Sequence, residues 1–253
     1  MFYLYAAPAV RMGALQNLQV IHAATHDSIG MGEDGPTHQP IELAALYRAM
    51  PNILYIRPGD SEETAGAWMV AIKAKNTPSI ISTSRHALPQ QVGLTNRNLV
   101  AKGAYVLSES AGPTNLTVIG AGAELNLAVS LANSLREQHD LKVRVISFPC
   151  QRLFEQQPLE YKRKILQRHS GIPTIVVEAY AANGWERYAD AAICMSTDRF
   201  GQSLPGAVAY EYFGFGVKNM VDKVLSYLAD LKKDPLLKEE FVEITQASLP
   251  EAN

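Results

Sequence analysis

Six short apolar runs rich in β-formers, at residues 18–24, 53–56, 79–84, 116–119, 143–147 and 174–177, constrain this chain more than any other feature. Between them lie helical patterns or glycine-bearing turns. After Pro40, the residues Ile41, Leu43, Ala44, Leu46 and Tyr47 recur at helical spacing. Asp60 or Ser61 is placed to cap an alanine-rich helix running to about residue 75. Further helices are predicted from the turn at 120–124 to about 137, at about 158–168 and over 217–231. Strands that alternate with helices, and are apolar on both faces, argue for parallel α/β sheets rather than a sandwich or a bundle.

Between residues 89 and 113 the periodicity fades and Gly93, Asn96, Asn98, Gly103 and Gly112 accumulate, which predicts a linker. The expected architecture is therefore α/β, with two doubly wound domains of mainly parallel sheet, at 1–95 and 96–253. The second ends in a charged tail after Pro235. A length of 253 residues suffices for two such cores. The formal charge of −2 argues against a nucleic-acid surface. Only Cys150 and Cys194 occur, so no disulfide framework is available and a cytoplasmic setting is expected. No apolar run reaches the roughly 18 residues of a membrane helix. The opening residues 1–9 lack the basic start of a signal peptide and read as a core segment.

The densest polar cluster is residues 25–40, THDSIGMGEDGPTHQP. It follows a strand, where open parallel sheets bind ligands, and it reads equally as a site or as a well-turned polar loop. A metal reading needs His26, Asp34 and His38 to converge, but their spacing matches no known ligand code, and no metal site is expected. The turn Gly120-Ala-Gly122-Ala-Glu124 could cradle a phosphate, yet it lacks the full dinucleotide fingerprint, so a structural turn is favoured. Arg85, at the end of the third strand, suits a phosphate or is a surface charge. His22 reads as a core residue, and both cysteines as unactivated thiols.

The run from Thr25 to Glu42 resembles the signature of the transketolase family in its pyrimidine-binding domain. The likeness continues through Arg48-Ala-Met-Pro51-Asn52, Arg57-Pro58-x-Asp60, Thr77-Pro78-Ser79-Ile80-Ile81, Ser84-Arg85 and Leu88-Pro89-Gln90. Lys102-Gly-Ala-Tyr-Val-Leu107, Gln157-Pro-Leu-Glu-Tyr161, Asp198-Arg-Phe-Gly201 and Phe213-Gly-Phe215 resemble the family's C-terminal domain. The resemblance covers nearly the whole chain and is close to fungal transketolase and dihydroxyacetone synthase. It implies that 1–95 is a truncated pyrimidine-binding-type domain and 96–253 the C-terminal domain.

It also implies a cofactor, thiamine diphosphate with a divalent metal such as Mg or Ca. The Gly-Asp-Gly motif with which the family holds diphosphate and metal does not occur in this chain, nor does the activating glutamate in its Arg-Glu-His context. The cofactor is therefore expected only in a complex with a partner, either a complementary N-terminal chain or a full-length transketolase subunit, in a homo- or hetero-oligomer. Phe2 and Tyr5 match aromatic residues that pack on the cofactor's pyrimidine. His26 and Arg85 match residues that grip the phosphate of a sugar phosphate, Asp34 a carboxylate that reads a hydroxyl beside the reacting carbon, and His38 an imidazole at the ketol end. His38 and Asp34 are the catalytic candidates. The implied activity is ketol (glycolaldehyde) transfer between sugar phosphates, this chain being the substrate-recognising portion. The alternatives are a non-catalytic paralogue with a binding or regulatory role, and a formaldehyde-accepting dihydroxyacetone synthase portion. Neither nucleic acid nor membrane is an expected partner.

Overall fold

The computed structural model describes residues 3–245. In chain order the helices and strands are α1 (Tyr3–Leu15), β1 (Ile21–Asp27), α2 (Leu43–Ala49), β2 (Leu54–Ile56), α3 (Ser61–Lys73) and β3 (Ser79–Ser84). Next come β4 (Tyr105–Glu109), β5 (Leu116–Gly120), α4 (Glu124–His139), β6 (Val143–Ser147), α5 (Gln151–Glu155), α6 (Leu159–Leu166) and β7 (Thr174–Glu178). The remainder is β8 (Ala191–Cys194), α7 (Gly206–Tyr212), α8 (Val217–Lys233) and β9 (Val242–Glu243).

The strands form two sheets. A three-stranded parallel sheet has the order β1-β3-β2, and a six-stranded sheet has the order β4-β6-β5-β7-β8-β9. Within the second sheet only the β4–β6 pair is antiparallel. The central strands β5, β6 and β7 are buried along their whole length, as expected of parallel strands covered on both faces. Leu125, Leu131 and Leu135 of α4, with Met220 and Val224 of α8, pack on one face of the second sheet. Phe148, Phe154, Trp185 and Tyr188 close the other face as an edge-to-face aromatic cluster. Each such side chain removed from water contributes about 1.5–3 kcal/mol.

The opening segment is helical over residues 3–15, and its inward positions Tyr3, Ala6, Ala7 and Val10 recur at helical spacing and pack in one core cluster with Tyr47 and Tyr55. Two expectations need correction. The first strand lies at 21–27 rather than 18–24, because its last residue, Asp27, finds buried partners in Arg57 and Ser82 that offset the cost of burying it. The stretch read as a linker is tied down. The Asp60 carboxylate accepts hydrogen bonds from Gln90 Nε2 (2.6 Å), the Gln91 amide (3.2 Å) and Thr95 Oγ1 (2.6 Å), and β4 then joins the second sheet. Asp60 also caps α3 by accepting from the Glu63 amide at 2.9 Å.

Candidate functional site

Four charged residues meet where the two sheets face each other. Asp27 ends β1, Arg57 follows β2, Glu178 ends β7 and Glu124 opens α4. Arg57, 1% exposed, donates Nε to Asp27 Oδ1 (2.8 Å) and Nη2 to Asp27 Oδ2 (3.0 Å). It also reaches Glu178 Oε1 through Nη1 and Glu124 Oε2 through Nη2, both at 2.5 Å. A second guanidinium, Arg48, donates to Glu178 Oε2 at 3.1 Å, and Trp185 Nε1 donates to the same oxygen at 2.6 Å. Tyr180 stacks under Arg57 at 4.2 Å, donates to Asp27 Oδ1 at 2.8 Å and accepts from the Ser28 amide at 2.7 Å.

This network holds charges in a dry interior because nearly every lone pair and proton has a partner. Burial pushes the Asp27 carboxyl up, but the charge and hydrogen bonds of Arg57 outweigh it and hold the group below the usual range. Glu124 goes the other way. Burial dominates, Asp27 and Glu178 add repulsion, and Arg57 compensates only in part, so its carboxyl is pushed up to about 7.

The glycine turn before α4 belongs to the same network. The Ala123 amide donates to Asp27 Oδ2 at 3.2 Å, so the anion at this helix start is the protein's own carboxylate. Gly122 has φ +55, and a Cβ there would lie 2.4 Å from Asp27 Oδ2. The turn is structural, and a phosphate has no room in it.

By pinning Asp27, the cluster aims its neighbours. His26 and Ser28 both adopt φ 69, a left-handed conformation that side-chain-bearing residues enter only under constraint. His26 is thereby turned toward the loop 32–38. Its Nδ1 is bonded to Thr25 Oγ1 at 2.6 Å, its Nε2 lies 3.6 Å from Asp34 Oδ2, and its ring lies 5.5 Å from that of His38. His38 Nδ1 is in turn bonded to Thr37 Oγ1 at 3.0 Å. The second unit braces the loop from behind. Ser203 Oγ donates to the Glu33 carbonyl at 2.6 Å, and Gln39 Nε2 bridges the carbonyls of Ile29 and Gln202, each at 3.1 Å.

Arg85 follows β3, whose Ser84 is in register with Asp27, so its exposed guanidinium stands beside this loop. Burial lowers the His26 pKa, the nearby His38 and Arg85 lower it further, and Asp34 opposes them. His26 is consequently a neutral imidazole at pH 7.

The structure thus brings together His26, Asp34, His38 and Arg85. His26, Asp34 and His38 converge as a metal reading would require, yet no group of three or more His, Cys, Asp or Glu among the described residues could hold a metal ion. Phe2 lies outside the described residues. Tyr5 stands on the outer face of α1, 81% exposed. The cavity that reaches His26 has a volume of only about 20 Å³, and Asp34 and Arg85 are open to solvent. These residues therefore do not by themselves enclose a thiamine diphosphate or its metal. His22 packs edge-on against Tyr3 at 5.7 Å. Cys150 and Cys194 are buried, which pushes their thiols up to about 11 and about 12.

Arg57, Glu124, Glu178 and Tyr180 were not apparent as members of one assembly. The available signal was position. Each follows an apolar run or its turn, at the strand end where open α/β sheets gather polar groups.

Two α/β units that join at their strand ends, with a histidine-bearing loop on the rim of the joint, define the class of protein. Comparison with known proteins gives the family. Residues 1–91 match the pyrimidine-binding domain of transketolase, and residues 103–216 match the transketolase-like C-terminal domain. The chain belongs to the transketolase family. It is 51% identical over 246 residues to a dihydroxyacetone synthase of Candida boidinii, covering 97% of this chain and 34% of that protein. A transketolase structure from Pichia stipitis in complex with sedoheptulose 7-phosphate superposes with a TM-score of 0.85 at 34% identity, covering 100% of this chain and 35% of that one. A split-gene transketolase, described as an inactive beta4 tetramer, shares the fold at a TM-score of 0.61 and 21% identity, over 87% of this chain and 68% of its own. The chain spans about a third of the length of the curated relatives it matches.

Proposed function

We propose that this chain supplies the sugar-phosphate-recognising side of a ketol transferase. The observation that carries the reading is the convergence of His26, Asp34 and His38 on one braced loop, with Arg85 beside it. Arg85 provides the charge for a phosphate dianion, and neutral His26 adds a hydrogen bond. Asp34 accepts from a sugar hydroxyl beside the reacting carbon, and His38 orients the ketol end. The sugar-phosphate complex of the Pichia stipitis relative supports this substrate class. The carbanion chemistry belongs to thiamine diphosphate with a divalent metal, whose diphosphate and metal would be held by a complementary or full-length transketolase subunit. The open rim around Asp34 and Arg85 is suited to being closed by such a surface. So are the exposed apolar residues Leu4, Met12 and Leu15 on α1.

The test is calorimetric titration of the complex reconstituted with a cofactor-bearing transketolase subunit. Arg85→Ala removes a charge-assisted hydrogen bond worth about 1.5–3 kcal/mol. It should weaken sugar-phosphate binding about tenfold to a hundredfold while leaving the unphosphorylated sugar unchanged. Asp34→Ala should weaken both ligands alike, because a hydroxyl contact is common to both. An Arg85→Ala complex that binds both as well as the unaltered one would sink the phosphate assignment. The 51% identity to a protein named dihydroxyacetone synthase favours, as a second reading, formaldehyde rather than an aldose phosphate as acceptor. Offering both acceptors to the same complex distinguishes the two.

A further inference from the structure

A hollow that includes no residue of the histidine loop lies on the aromatic face of the second sheet. It has a volume of about 610 Å³, within the range that receives one small organic molecule. Its apolar lining comes from Phe154, Leu159, Leu166 and Tyr188. Leu159 is 56% exposed, an unusual position for a leucine on so short and basic a helix as α6. Around this floor stand Lys162, Arg163, Arg168, His169 and Arg187.

Their charges are not mutually cancelled. Glu155, the one carboxylate on the lining, is taken by Lys162 at 2.9 Å, and Arg168 pairs with Asp190 at 3.1 Å. Among the described residues neither Arg163 nor Arg187 forms a salt bridge, although Arg187 is near enough to Glu155 to help hold its carboxyl below the usual range. Two guanidinium forks with no direct salt bridge, over an apolar floor, match an anion attached to an apolar body. A fork also suits phosphate better than a point charge would. A bare anion would leave the floor wet, and an apolar molecule would leave the forks unused.

We propose that this hollow, formed by α5, α6 and the turns at 168–170 and 185–187, binds an organic monophosphate with a flat apolar body. The phosphate lies between Arg163 and Arg187, and the body lies on Leu159 and Leu166. None of the lining residues belongs to the histidine loop or to the Arg57 cluster, so the proposal stands independently of the ketol-transfer reading.

Isothermal titration of the full chain with adenosine monophosphate, adenosine and inorganic phosphate tests it. The monophosphate should bind saturably at one per chain, and adenosine and inorganic phosphate each at least tenfold more weakly. Both arginines are exposed, so the double variant Arg163→Gln, Arg187→Gln keeps the fold; it should lose at least tenfold in affinity for the monophosphate. Arg85→Ala should leave that affinity unchanged, which separates this hollow from the sugar-phosphate loop. Equal affinity in the double variant, equal affinity for adenosine and its monophosphate, or no saturable binding at millimolar concentration would each overturn the proposal.

Discussion

Asp27 and His26 are neighbours in the chain, yet they occupy opposite environments. Asp27 is sealed between the two sheets and receives hydrogen bonds from Arg57, Tyr180, Ser82 and the Ala123 amide. His26 is turned outward, held by one threonine hydroxyl and facing a carboxylate that is 45% exposed. The dry cluster, with three carboxylates against two guanidiniums, derives its strength from low dielectric and close pairing. The wet loop, screened by water, is left free to exchange solvent for a ligand. A rigid polar core next to an under-committed polar rim is how a site is placed on a scaffold without being filled by it.

The largest expected effect tests whether the dry cluster is what joins the halves. Arg57→Met keeps volume and removes the charge, which leaves Asp27, Glu124 and Glu178 facing one another without their common partner. Breaking a buried pair in this way costs about 3–5 kcal/mol. Urea unfolding should show that loss, while Arg85→Ala on the wet rim should stay within about 0.5 kcal/mol of the unaltered chain. Equal stability of the two variants would erase the distinction drawn here.

A smaller effect comes from the surplus carboxylate. With its folded pKa raised from 4.5 to about 7, Glu124 favours the protonated form in the folded state. Its contribution to stability is full below about 4.5, declines as pH rises toward 7 and stays lost above it. Glu124→Gln mimics the protonated acid and can still accept from Arg57. The unaltered chain should therefore lose melting temperature between pH 5 and pH 8 relative to the variant, by about a few °C. Parallel melting curves for the two proteins across that interval would show that Glu124 stays ionised, with Arg57 outweighing burial.

How legible these two regions were in the sequence follows from the same contrast. The strand at 79–84 and the rim residues His26, Asp34, His38 and Arg85 could be read locally, because apolar runs and a dense polar motif carry their own signal. Arg57, Glu124 and Glu178 are separated by tens of residues, and only the sheet order brings them together. Arg57 stands out only as part of a family motif, and Glu124 as the end of a glycine turn, because nothing local distinguishes a buried ion from a solvated one. Strand β8, Ala-Ala-Ile-Cys, is too short and small to stand out. Strand β4 was obscured by its Ser108-Glu109 end, which an antiparallel edge strand tolerates.

The smallest effect lies on the rim itself and asks whether its members sense one another before any ligand arrives. Burial sets the His26 pKa below the ordinary value, and two exposed neighbours act on it in opposite senses: Asp34 raises it and Arg85 lowers it. Water screens both. Asp34→Asn should therefore move the His26 midpoint further down, and Arg85→Ala should move it up. The shifts can be followed through the imidazole Cε1 proton in an NMR titration at low salt, and both should shrink at high salt. Because a neutral His26 is already favoured at pH 7, neither substitution should change folding stability there. Midpoints that move together, or only with Asp34, would mean that Arg85 does not stand over the same loop, and the phosphate grip would lose its second half.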